Sequence, residues 1–365
     1  MKNNYFKSAV FVALAVAGLT SCKKDKVADE EVIAPYDVPK TYNFAGANYA
    51  SSTIRVKQML ELDVYMKTAN AGTALDGTKA TNLFNNTGNA FTDAALNTSG
   101  LNLAAKTTDP TVFKGYLDNL IADSKVNAVA TNGTSGYIIR GSAKIIVGPT
   151  GVENGQAVTK GMMGSLFFKQ ALDLLASTKT DGTIALQQQH WDEAFGYLAV
   201  PNDYDPTVTY ASTLVFPAKP ALWGGYLAER GQNITAGKII FDAFLKGRAA
   251  IGAKDVKVRD AQIVIIQEIW EKLAANAAYN YVVSPTLTAN AGNLGSQFHA
   301  LSEGLGFVES LKYRAAGSKL TDANFVKLQA ILKTNFYTLI NEAGFTKLKE
   351  AQAILKDSYA LPALN

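Results

Sequence analysis

Two histidines occur in 365 residues, and each is followed by a glutamate within one helical turn. His190 and Glu193 stand three apart in QQQHWDEAFGYLAVP, and His299 and Glu303 stand four apart in SQFHALSEGLGFVES. Both spacings place imidazole and carboxylate on one face of a helix. An imidazole nitrogen and a carboxylate oxygen together suit iron, zinc, copper or manganese, and no thiolate is needed. Aligned on the glutamate, both segments read Glu, small, apolar, Gly, aromatic, aliphatic. The offset from Glu193 to Glu303 equals that from Gly196 to Gly306. We read this as the relic of a duplicated helical unit whose two histidine helices face each other. His190, Glu193, His299 and Glu303 are then the expected metal ligands, with Gly196, Tyr197, Ser302 and Gly306 bordering the pocket. A glycine one turn past the glutamate permits close approach of another backbone or a ligand. A competing reading needs no metal, because a half-buried histidine bonded to a nearby glutamate is a common structural pair.

These residues must be held by helices. Trp191, Phe195 and Leu198 form an apolar stripe beside the first pair; Phe298, Leu301, Leu305 and Val308 do so beside the second. Helical periods also run through Ser52 to Ala69, from Asp109 (as cap) with Pro110 in the first turn, and through Gly155 to Thr178. Asn70 to Pro110 is rich in Gly, Asn and Thr and reads as a long loop with at most short helices. Tyr137–Ile139 and Lys144–Val147 are β-branched runs around Gly141, which predicts a small hairpin. Pro201, Pro206, Pro217 and Pro220 mark a loop and a boundary. Five further helical segments follow it. The expected fold is all-α: a first bundle over 42–200 and a second over 201–365, with one hairpin near 137–147.

The chain opens with Lys2 and Lys7, then the apolar run Ala9 to Leu19, too short to span a bilayer. LTSC, Leu19 to Cys22, resembles the lipobox of bacterial lipoproteins, and Cys22 is the only cysteine. This predicts a signal peptide over 1–21 and a diacylated Cys22 that anchors the chain without spanning the membrane. Lys23 to Lys40 is charged, carries two prolines and reads as a tether, so that 22–41 links lipid to body. Lys23, rather than aspartate, after the cysteine resembles lipoproteins sent to the outer membrane, periplasmic or surface-exposed. Losing the leader removes two lysines and no acid from a formal charge of +4. No basic block remains, which argues against a nucleic-acid partner.

Several chemistries lack their motifs. There is no G-x-S-x-G elbow, no phosphate-cradling glycine loop and no HExxH. Asp203 and Asp205 beside Pro206 read as turn chemistry, Trp223 and Tyr226 as core rather than sugar-stacking aromatics, and Arg248 and Arg259–Asp260 as salt bridges.

At HWDEAFGYLAVP, taken with the lipobox and YNFAGANYASSTIRVKQMLELDVYM, the chain resembles a family of bacterial lipoproteins of unknown function, the domain-of-unknown-function 4856 type. That family is similar to the imelysin-like proteins. The resemblance covers most of Tyr42 to about Tyr359. It implies two four-helix bundles, a link to iron regulation or uptake, and a G-x-H-x-x-E signature. His190 and Glu193 match its His and Glu, while Gln188 stands where the signature has glycine. The leading expectation is a non-enzymatic, outer-membrane-anchored protein that binds a metal, iron favoured, or an iron-bearing ligand. A metallopeptidase using Glu193 or Glu303 as base is one alternative. A surface glycan- or protein-binding lipoprotein with purely structural His/Glu pairs is the other.

Overall fold

The computed structural model describes residues 33–364. The leader, Cys22 and the first stretch of the tether lie outside the described residues. Helices carry the chain: α1 (Ala50–Lys67), α2 (Gly77–Asn85), α3 (Ala94–Asn97) and α4 (Pro110–Asp123) come first. A hairpin of β1 (Gly136–Arg140) and β2 (Ala143–Val147) follows, then α5 (Asn154–Met162), α6 (Lys169–Ser177) and α7 (Ile184–Leu198). After the proline-marked loop come α8 (Trp223–Glu229), α9 (Ala236–Gly252), α10 (Val256–Val283) and α11 (Leu294–Ser310). The last three helices are α12 (Asp322–Leu332), α13 (Phe336–Asn341) and α14 (Thr346–Tyr359).

Local chemistry explains many of the boundaries. Asp76, Thr183, Asp255 and Asn293 each accept a backbone N–H in the first turn of α2, α7, α10 and α11, as helix caps do. Asp109 occupies the expected cap position before α4 but makes no capping bond. Lys312 takes its Oδ2 at 2.7 Å, and the Tyr313 hydroxyl bonds the same oxygen, so a tertiary contact replaces the local one. The hairpin pairs Arg140 with Ala143 across a two-residue turn, and Gly141 supplies the positive φ (61°) that such turns require.

α5 and α6 are joined through a π-wound stretch, Met163–Phe168. Loosened winding frees backbone carbonyls for other donors. Trp223 Nε1 takes Met163 O at 2.7 Å, and the Thr108 hydroxyl takes Ser165 O at 2.6 Å. Trp191, Trp223 and Trp270 are all fully buried, so the aromatics of ALWGGYLAERG are core, not an exposed sugar platform.

The boundary expected between residues 200 and 201 does not separate a first core from a second. Residues 35–364 belong to one unit around a contiguous apolar cluster. The reason is packing across the loop: α7 lies against α9, and α5 lies against α11. Among the described residues no helix is long and apolar enough to cross a membrane.

Candidate functional site

On α7 the histidine and the glutamate take different partners. His190 Nδ1 lies 2.8 Å from Asp181 Oδ2, just before the helix begins. Glu193 instead meets Arg55 of α1, at 3.6 Å, and the same Arg55 Nη1 donates to the Tyr197 hydroxyl at 3.0 Å. Gly196 is a packing glycine: a Cβ there would stand 2.1 Å from Ser52 Oγ. It borders a cleft of about 380 Å³ shared with Tyr49, Asp203 and Phe216, away from either histidine. Asp205 makes the expected turn, accepting from Thr207 N at 2.8 Å.

The residue between His190 and Glu193 has the larger structural role. Asp192 is 1% exposed. It accepts from Arg248 Nε at 2.7 Å, the Tyr42 hydroxyl at 2.8 Å and Asn48 N at 3.2 Å. Burial, and then the neighbouring Asp192 carboxylate, push the Tyr42 phenol well above its ordinary pKa. Tyr42 also stacks on Phe195, with centroids 3.6 Å apart. The sequence marks Arg248 as a salt-bridge residue without naming Asp192 as its partner. The available signal is an acid three residues before Phe195, on the apolar side of its helix, with a base set among Phe244, Leu245 and Ile251.

On α11 the motif closes on itself. Glu153, just before α5, holds His299 Nδ1 at 2.7 Å through Oε2. His299 Nε2 then faces Glu303 Oε1 at 3.8 Å. Around that same oxygen stand Lys160 Nζ at 3.3 Å and the Tyr226 hydroxyl at 3.4 Å. The Tyr226 and Tyr281 hydroxyls are 3.0 Å apart, and Tyr281 donates to Glu229 Oε1 at 3.2 Å. Ser302 is buried and does not line the pocket. Its Oγ accepts from Glu153 N at 2.8 Å, which fixes the backbone that aims Glu153 at His299. At Gly306 a Cβ would sit 2.4 Å from Lys160 Cβ, so this glycine lets α11 approach α5 and seats Lys160 against Glu303.

A cleft of about 290 Å³ opens onto this group, bordered by Arg140, Glu229, Arg230, Tyr281, His299 and Glu303. Burial pushes the Glu303 carboxyl up, but the Lys160 ammonium, with help from His299 and Tyr281, outweighs it and holds Glu303 below the usual carboxylate range. Burial likewise opposes the Lys160 charge, and Glu303 and Asp63 override it, so Lys160 is held above its ordinary value. The Tyr226 and Tyr281 phenols are both pushed up, first by burial.

The four residues expected to meet therefore fall into two sets with no shared partner: His190 and Glu193 lean on Asp181 and Arg55, His299 and Glu303 on Glu153 and Lys160. Among the described residues no three His, Cys, Asp or Glu side chains form a metal-holding group. The group that does gather includes phenols: His299, Glu303, Tyr226 and Tyr281, whose successive contacts span 3.0–3.8 Å. No local sequence signal marks Tyr226 and Tyr281 as members, because α8 and α10 deliver them from far along the chain.

A mostly helical protein with one small hairpin and a buried His–Glu–Tyr cluster is the class these features define. Residues 39–358 match the family described as Domain of unknown function (DUF4856), and the chain belongs to that family. No curated protein and no solved structure matches the chain.

Proposed function

We propose that this chain is a lipid-anchored outer-membrane protein that binds a transition-metal ion, iron favoured, at His299, Glu303, Tyr226 and Tyr281. The observation that carries the reading is the arrangement around Glu303 Oε1. An imidazole nitrogen whose other nitrogen is tied to Glu153 faces that carboxylate at 3.8 Å, with a phenol at 3.4 Å. A histidine oriented by a second carboxylate is the usual support of a metal ligand. Two phenols add hard oxygen donors, which suit iron better than zinc. Each phenol that ligates releases its proton to solvent.

The anchor rests on LTSC and Cys22, and the outer-membrane location on Lys23. The sequence resemblance to imelysin-like proteins motivates the choice of iron, with His299 and Glu303 in place of the HxxE pair His190 and Glu193. Binding is favoured over hydrolysis because a carboxylate held down by an ammonium is a weak general base.

The test is titration of the intact chain, in detergent, with ferric nitrilotriacetate and separately with zinc chloride. Iron binding with a visible tyrosinate-to-iron absorption band is expected, with weaker zinc binding. Equal iron binding by the wild type and a His299→Ala/Glu303→Gln double variant would sink the site.

A further inference from the structure

Two guanidinium groups border the cleft that holds His299 and Glu303: exposed Arg140 at the end of β1, and Arg230 just past α8. Arg230 Nη2 meets Glu229 Oε1 at 3.1 Å. Its Nε is buried with no hydrogen-bond partner in the protein. The guanidinium lies 4.8 Å from the centre of the Tyr281 ring, against one of the proposed ligands. Ser296, in the first turn of the 17-residue α11, borders the same cleft, so the positive end of that helix also faces it.

This lining has more donors than the protein satisfies. A buried guanidinium nitrogen without an acceptor is costly to leave unpaired, and the same guanidinium borders the cleft. Four protein donors also leave open positions on an ion that takes six ligands.

We propose that the cleft binds its metal together with a small oxyanion, held by Arg230 and Arg140 and reaching the metal's open positions. The planar guanidinium fork matches two oxygens of a phosphate or carbonate. This inference rests on the metal reading for its second half; the anion site itself needs only the arginines.

The experiment uses the intact chain and inorganic phosphate as probe. Phosphate is first titrated into metal-free protein by calorimetry. Iron binding is then measured by the visible band, with and without phosphate. Wild type is expected to bind phosphate alone weakly, and to hold iron at least tenfold tighter when phosphate is present. Arg140→Ala/Arg230→Ala is expected to lose phosphate binding and the tenfold gain. Arg230→Lys, which keeps charge but not the fork, should retain only a fraction of the gain. Iron binding indifferent to phosphate in the wild type, or a gain that survives in the double-arginine variant, overturns the proposal. Phosphate bound through the arginines by a chain that takes no iron in any buffer supports the anion site and overturns the metal reading alone.

Discussion

The two histidine helices carry nearly the same words and do different work. On α7 the glutamate pairs with Arg55 of α1, and the glycine packs on Ser52, three residues earlier, so the two helices run antiparallel. On α11 the glutamate pairs with Lys160, His299 sits by Glu153 and Ser310 by Lys160 and Gly164, so α5 and α11 run parallel. Each motif thus finds a base and a close-packed neighbour, by opposite geometries. The difference lies in what else arrives. α7 is met by Phe241, Phe244 and Arg248 of α9, which seal it into the core around Asp192. α11 is met by the hydroxyls of Tyr226 and Tyr281 and opens onto a polar cleft. A histidine–glutamate spacing becomes a site only where neighbouring helices bring further donors and leave room for a ligand.

The largest effect expected from breaking this contrast is on stability. Asp192→Ala leaves the Arg248 guanidinium buried and unpaired, and should destabilise by about 3–5 kcal/mol. Urea denaturation measures it, and removal of Arg248 should behave similarly. Next comes ligation. Glu303→Gln or Tyr281→Phe should weaken iron binding by about 100-fold or more, above the range set by outer-shell changes. Glu153→Gln should cost about 10–100-fold, because it frees the His299 ring without removing a ligand. Removing the competing cation with Lys160→Met should move affinity the other way, since Glu303 Oε1 then loses its resident counter-charge.

Acid stability gives a subtler readout. Glu303 has a folded pKa below its unfolded value, so its contribution is fully present above ~4.3 and is lost as pH falls through the lower folded value. A Glu303→Gln chain should show a flatter acid limb in denaturation curves collected from pH 6 to pH 3. The smallest effect is expected at His190→Ala. Its pair with Asp181 is partly exposed, so the loss should be about 1 kcal/mol or less, with iron binding unchanged. Loss of iron at that position would restore α7 to the site.

Much of the architecture is legible because it is written locally. The three-to-four spacing of Trp191, Phe195 and Leu198 marks α7, and all three are buried. Gly141 between two β-branched runs marks the hairpin. Asn70 to Pro110 holds mostly loop with the short helices α2 and α3, as its Gly, Asn and Thr content implies. Two features mislead. The prolines of 201–220 look like a domain boundary, yet α7 and α9 pack across them. The matching spacing of the two motifs suggests that they converge, and matched spacing says nothing about which neighbours each helix acquires. In the candidate site, His299 and Glu303 are legible because both lie on one helical turn. Glu153, Lys160, Tyr226 and Tyr281 are not, because they come from the start of α5, its body, α8 and α10.

The sequence by itself determined the helical class, the hairpin and the pairing of histidine with glutamate on one face, because each depends on residues within a turn or two. Only the tertiary structure decided that Asp192 is a core anion and that Lys160 stands beside Glu303. It also decided that phenols from distant helices close around α11 and not α7. The physical reason is that burying a charge is tolerable only where a partner of opposite sign arrives, and that partner is chosen by how helices pack, not by how residues are spaced.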